Sequence, residues 1–407
     1  MNTIGIIAEF NPFHNGHLHL IQKCKELLHA DRVIVIMSGD FTQRGAPAFV
    51  DKFTRTKMAL SCGADVVLEL PIYYALGSAE YFAQGAVSTL NRLGCIDYLC
   101  FGSECADISL LTETARILND EPSSFRDTLS KELKKGLSYA VARQKALMIC
   151  LEEKDISFPD SVLSCPNNIL GIEYIRALLD LNSPIKPFTI KREGEDYNSE
   201  ALSELPSAKA IRVALLEKND FSLLSFCTPS ICLNELKNYH GTFAASDALS
   251  VLLHYKLLTE RSNGYTKFQD VSEDLSNKII SNLEEFTCFD AFCEQLKSKD
   301  IAYSRISRVL CHILLNITSR NMDEYKNDGY TSYARILGMK KASSDIVKEM
   351  KASAKIPVIG NLKEAKEALT SDFEKRLFDE TLTASILYFS IYKNTNLNEY
   401  RTPLILM

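Results

Sequence analysis

Short runs of β-branched and aliphatic residues alternate with longer amphipathic stretches over the first hundred positions. Residues 3–8 and 66–70 are compact apolar runs, and residues 32–37 (RVIVIM) are β-branched and apolar, as a strand buried on both faces should be. Residues 16–30, 51–61 and 77–93 read as helices; in the first of them Leu18, Ile21, Leu27 and Leu28 are among the apolar positions. Residues 96–101 form the next strand pattern. Strands separated by helices predict a parallel sheet with right-handed crossovers. Helices dominate residues 109–151, another is predicted over 168–181, a strand over 188–190, and a helix over 208–216 with Ser207 as its N-cap.

From about residue 221 the strand patterns fade. Helical segments are predicted over 245–258, 271–283, 290–298, 305–317, 343–352, 362–378 and 381–392. The expected fold is therefore α/β. A Rossmann-like parallel sheet occupies residues 1–225 and a mostly α-helical domain residues 226–407, with the boundary falling within 220–245. There is no internal repeat and no low-complexity segment.

Composition narrows the class without naming a function. The 407 residues are 46% hydrophobic and 24% charged, as in an ordinary folded protein. No apolar stretch approaches the roughly 20 residues that span a bilayer. The first strand pattern starts almost at Met1, leaving no room for a signal peptide, so the expected location is cytoplasmic. The 12 cysteines include no Cys-x-x-Cys pair and read as reduced core residues. A net charge of −6 means that any nucleic acid must be met by a local patch. One candidate runs from Arg335 to Lys355, where Lys340, Lys341, Lys348 and Lys351 outnumber Asp345 and Glu349.

The chemistry concentrates after the first strand, in Phe10-Asn11-Pro12-Phe13-His14-Asn15-Gly16-His17. A strand feeding a helix through a tight loop aims backbone N–H groups and the positive end of the helix dipole at the loop, which suits an anion. Gly16 leaves room for a ligand to approach the backbone. His14 and His17 are placed to donate hydrogen bonds to phosphate oxygens and to stabilise charge growing on an α-phosphate. Further loops at predicted strand ends carry Gly39, Arg44 and Gly45, and Gly102-Ser103-Glu104; Ser207 to Arg212 offers a second place for a phosphate.

The order of these motifs resembles the nucleotidyltransferase superfamily, which shares His-x-Gly-His. A closer resemblance runs over most of the chain. GIIAEFNPFHNGHLHLI, SGDFTQRGAPAFVDKFTRTKMAL, GADVVLELP, FGSE, GLSYAVARQKAL, PNNILGIEYIRAL, SAKAIR and YTSYARILGMKK are similar to segments of the bacterial tRNA(Met) cytidine acetate ligase family. That resemblance implies a ligase that activates acetate with ATP, and with Mg²⁺, to acetyl-adenylate. The enzyme then acetylates N4 of the wobble cytidine of elongator tRNA(Met), and an added helical region engages the tRNA. It implies no membrane and no protein partner. It implies that ATP is held by Ile7, Ala8, Glu9, Phe10, Asn11, Pro12, Phe13, His14, Asn15, Gly16, His17, Leu18, His19 and Leu20, and by Gly102, Asn168, Lys191 and Arg192. No protein metal ligand is expected. Asp40 stands where the family usually has asparagine, and a carboxylate there needs a cation such as Arg44 or Mg²⁺ to face. Phe10, Phe13 and Phe41 are candidates to stack the wobble base.

Three rivals predict different outcomes. An adenylyltransferase for a small phosphorylated metabolite needs no RNA and little beyond the α/β core. A synthetase-like enzyme would use Gly338 to Ser344, which resembles a Lys-Met-Ser-Lys-Ser loop but is expected to lie far from the core. A non-catalytic RNA-binding protein would not need both histidines.

Overall fold

The structure is a computed structural model that describes residues 2–157, 162–194, 203–218, 220–299, 301–392 and 399–407. Its centre is an eight-stranded sheet. The strands are β1 (Asn2–Ala8), β2 (Ala30–Ser38), β3 (Val66–Leu70), β4 (Tyr98–Ser103), β5 (Lys186–Lys191), β6 (Ala334–Met339), β7 (Val358–Ile359) and β8 (Ile405–Leu406). They lie in the order β8-β6-β3-β2-β1-β4-β5, with β7 paired to β6. From β3 to β5 every pairing is parallel; β6 joins β3 antiparallel, with Met339 opposite Val66. The chain leaves β1 for β2 on one side and returns to β4 on the other. That reversal opens a crevice beyond the carboxyl ends of β1 and β4, where open α/β sheets take their ligands.

Alternation along β2 explains why the sheet is covered on both faces. Ile34 and Ile36 enter one core with Ile7, Leu68 and Phe101, while Val33, Val35 and Met37 enter the other with Ile4, Ile6 and Cys100. Helices Ala79–Leu93 and Pro166–Asp180 close the first face. Eight of the cysteines are buried, four are half-buried and all are free thiols.

Two sequence expectations change. Strands do not end before the helical part, because β6 and β8 return to the sheet from beyond residue 330. The arginine and glycine in ARILGM hid the first of these strands. The arginine is tolerated because carboxylates surround it: Arg335 donates to Glu69 Oε2 at 2.8 Å and to Glu399 Oε2 at 2.7 Å. Lys52 completes the cage, with Glu69 Oε1 at 2.6 Å, Ser385 Oγ at 2.9 Å and a close contact to Glu399. All four charged side chains are buried. Second, residues 362–392 split at another place than periodicity suggested: Leu362–Ala368 is followed by one helix, Asp372–Ile391. Ser371 and Glu374 form the capping box that starts the longer helix.

Candidate active site

The first helix, Asn15–Leu28, begins at the crevice, and His14 is its N-cap. Gly16 donates its backbone N–H to His14 Nδ1 at 3.1 Å, and the His14 backbone N–H is donated to His17 Nδ1 at 3.2 Å. This is a capping box built from imidazoles in place of hydroxyl and carboxylate. It has a chemical consequence. Each Nδ1 accepts, so each neutral ring carries its proton on Nε2 and presents that N–H away from the helix. Burial, then the nearby Arg192 and Arg212 charges, push His14 down to about 3. Burial, then His14 and Arg192, push His17 well below its usual value. Both rings are therefore neutral donors at pH 7, tilted by 30° with centroids 3.7 Å apart.

Glycine at position 16 is required for this geometry: a Cβ there would lie 2.9 Å from His14 Cε1. Phe10 and Phe13 wall in His17, with ring centroids 4.9 and 5.4 Å from its imidazole. Phe10 holds a left-handed backbone, φ 48°, a strained conformation for an aromatic residue. Asn15 anchors the loop from outside, through Nδ2 to the carbonyls of Glu204 and Phe226 and through its own N–H to Cys227.

These residues open on a cavity of about 470 Å³, within the range of small-molecule sites. Ile7, Ala8, Glu9, Phe10, Asn11, His14, Gly16, His17, His19 and Leu20 line it, with Gly102, Lys191 and Arg192 opposite. A Cβ on Gly102 would meet nothing closer than Arg192 Cβ at 3.9 Å, so this stretch of wall stands open to a ligand. Pro12, Phe13, Asn15, Leu18 and Asn168 stand behind the lining. Asn168 is buried and its Oδ1 accepts the Glu104 and Cys105 N–H groups, while its neighbour Asn167 reaches the cavity. Five basic residues line the wall (Arg44, Lys191, Arg192, Lys209 and Arg212), against three acidic ones, Glu9, Glu193 and Asp290. Arg212 also donates to the Asn11 carbonyl at 2.7 Å, tying Ala208–Val213 to the histidine loop.

Several expectations meet a different arrangement. Asp40 does not face a triphosphate. It is buried, its Oδ1 accepts the Lys52 N–H at 2.9 Å, and its Oδ2 lies 3.8 Å from Lys52 Nζ. Burial pushes its carboxyl up to about 6, against the opposing Lys52 and Arg55 charges. Phe13 and Phe41 are buried behind the lining, whereas Phe10, also buried, forms part of the cavity wall. The basic stretch after residue 335 does not form one patch. Arg335 is internal; Asp345 and Glu349 pair with Arg32; Lys340 lies 3.6 Å from Asp65, and Lys351 3.6 Å from Glu364. Because β6 runs antiparallel to β3, Lys340 leaves the sheet at the end opposite the crevice, roughly 20 Å away at about 3.3 Å per residue. The Gly338–Ser344 segment starts as the last two residues of β6 and leaves the sheet at that same far end.

Two contributions were not anticipated. Arg55 is fully buried and donates to the carbonyls of Val50 (3.0 Å), Glu9 (2.8 Å), Ser38 (2.9 Å) and Gly39, bracing the ends of β1 and β2. Ser304 and Ser307, from helix Tyr303–Leu314, line the cavity as well. Small residues one turn apart on an amphipathic helix were the available sign.

Comparison with known proteins agrees with this geometry. The HIGH Nucleotidyl Transferase family model matches residues 1–402. The tRNA(Met) cytidine acetate ligase of Clostridium perfringens is 42% identical over 380 residues, covering 92% of this chain and 93% of that protein. The ligase of Clostridium novyi is 41% identical, covering 97% and 99%. Crystal structures of Thermotoga maritima TmcAL, apo and bound with alpha-thio ATP, superpose with TM-scores of 0.93 and 0.90 at 30% identity over 100% of both chains. The chain belongs to the tRNA(Met) cytidine acetate ligase family of the HIGH nucleotidyl transferases.

Proposed function

We propose that this protein is an ATP-dependent ligase that acetylates N4 of the wobble cytidine of elongator tRNA(Met). An acetate oxygen attacks the α-phosphorus of ATP and pyrophosphate leaves. The cytidine amino group then attacks the acetyl carbonyl and AMP leaves. The observation that carries this reading is the imidazole capping box. It presents two neutral Nε2–H donors at a helix N-terminus beside Arg192 and Arg212, an arrangement suited to negative charge developing on a phosphate. Neutral donors answer changes in phosphate charge without losing a proton.

The acid residues of the cavity do not form a metal cage: among the described residues no group of three or more ligating side chains comes together. Magnesium would come in with ATP and would offset the charge of its phosphates. Acetyl-adenylate is a reactive anhydride, and a deep cavity slows its hydrolysis. Residues 1–225 supply most of the ATP cavity, residues 226–407 contribute the helices that engage the tRNA while β6 to β8 of that stretch complete the sheet, and the reaction places the protein in the cytoplasm. No helix among the described residues is long and apolar enough to cross a membrane.

The test incubates the protein with ATP, labelled acetate and total tRNA without coenzyme A, then digests the RNA to nucleosides. Label in N4-acetylcytidine is the expected result. A labelled dinucleotide, or no labelled nucleoside, contradicts the proposal.

A further inference from the structure

The far-end lysines lie away from the crevice, but another basic group stands beside it. The loop after β2 is seated directly on helix Tyr303–Leu314. Ser307 Oγ donates to the Gly45 carbonyl at 2.8 Å, and Cys311 Sγ approaches the same oxygen at 3.1 Å. Gly45 has φ 79°, and a Cβ there would lie 2.2 Å from the Arg308 backbone nitrogen, so only glycine permits this docking. The docking brings exposed Arg44 beside Arg308 and, one turn earlier on the same helix, half-buried Arg305.

Like charges gathered in this way oppose one another. Burial lowers the pKa of Arg308; Asp270 opposes the shift, and Arg305 and Arg44 add to it. The Nε of Arg308 is buried without a hydrogen-bond partner, and the hydrogen bond recorded for its Nη1, to the Gln43 carbonyl, is long at 3.5 Å. Among the described residues neither Arg305 nor Arg308 forms an ion pair with a carboxylate. Exposed Arg44 and half-buried Arg305, gathered beside Arg308, present positive charge that suits an anion arriving from outside.

We infer that Arg44, Arg305 and Arg308 form a rim at the mouth of the cavity that grips the phosphodiester backbone of the RNA substrate. This rests on the RNA-acetylating reading above and names the surface that serves it. The rim is separate from the triphosphate side: the charges that depress His14 are those of Arg192 and Arg212. It is also adjacent to the chemistry, since Arg44, Ser304 and Ser307 line the cavity itself. Phosphate contacts there fix the register of a strand whose base is inserted into the crevice, while carrying no sequence information themselves.

The test measures binding of a fluorescent elongator tRNA(Met) transcript across a salt series, together with calorimetric ATP binding. It compares wild type with Arg305→Gln, Arg308→Lys and the Arg305→Gln/Arg308→Gln double variant. The double variant is expected to lose about tenfold in RNA affinity at moderate salt, and its log–log salt slope to fall by about one per contact removed. Arg308→Lys is expected to keep most of the slope, since charge is retained. Arg305 lies outside the cavity lining, so Arg305→Gln is expected to bind ATP as wild type does and to melt at the wild-type temperature. Unchanged RNA affinity and slope in the double variant would overturn the rim while leaving the ligase reading intact. A loss confined to ATP would assign the arginines to the triphosphate and overturn it equally. A wild-type protein that binds no tRNA would remove both readings together.

Discussion

The carboxyl end of the sheet and the cage around Lys52 use ionisable residues in opposite ways. In the cage, Lys52 and Arg335 meet Glu69 and Glu399 at hydrogen-bond distance. Burial opposes ionisation of Glu399, yet the Lys52 and Arg335 charges overcome it and hold that carboxyl down at about 2. The cage ties β3, β6, the helix Lys52–Ser61 and the C-terminal segment into one body. In the cavity, basic residues outnumber acidic ones and two histidines are held neutral with their Nε2–H groups directed outward. Closure of charge against charge gives structure; uncompensated positive charge and outward donors suit an anion.

The largest effect is expected from breaking the cage. Glu399→Gln leaves Arg335 and Lys52 sharing Glu69, with only the more distant Asp40 to help Lys52, and should cost about 3–5 kcal/mol, the range for removing one partner of a buried pair. Urea unfolding measures it, and a loss no greater than that of an exposed pair would show that the cage does not hold the C-terminal segment. On the other side, His14→Ala and His17→Ala should lower acetate-dependent ATP/pyrophosphate exchange by about 10²–10³-fold, the usual consequence of deleting a transition-state donor. Near-normal exchange in both variants would defeat the assignment.

A smaller effect separates the two duties of His14. Alanine there removes an N-cap and should cost about 1 kcal/mol of stability. Asparagine caps well, so His14→Asn should recover most of that stability but none of the exchange activity. The pair also has a pH signature. His14 has its native pKa at about 3, below the 6.5 of the unfolded chain. Between those values the unfolded state binds the extra proton, so this histidine's contribution to stability falls as pH falls through that window. Wild type should therefore lose stability relative to His14→Asn on acidification from about pH 6.5 towards 3, and a constant difference would contradict the buried neutral ring. The smallest effect belongs to Lys340, Lys341 and Lys348. Their combined neutralisation should alter tRNA affinity less than the Arg305/Arg308 double variant does, by the same fluorescence measurement.

The parts of the molecule legible in the sequence are those in which local pattern and final environment agree. RVIVIM is apolar because both faces of β2 are buried, and the spacing of His-x-Gly-His is itself the helix cap. The residues whose surroundings the sequence did not reveal have their meaning set by distant partners. Arg335 looked like a surface cation until Glu69 and Glu399, 266 and 64 residues away in sequence, met it. Asp40 looked like a cavity carboxylate, and the helix start at Lys52 claims it instead. Asn168 fills a wall, and Asn167 faces the ligand space. Periodicity resolves faces of an element, but a one-residue choice at a helix start depends on which backbone groups across the fold need a partner.

The central claim is that His14 and His17 are neutral, protonated on Nε2, and donate to the triphosphate. Nitrogen NMR of ring-labelled histidine at pH 7, with and without a non-hydrolysable ATP analogue, tests it directly. The account predicts Nε2-protonated, Nδ1-unprotonated signals for both residues in the free protein, with both Nε2 signals displaced by the analogue. Protonation at Nδ1, or Nε2 signals indifferent to saturating analogue, would contradict it.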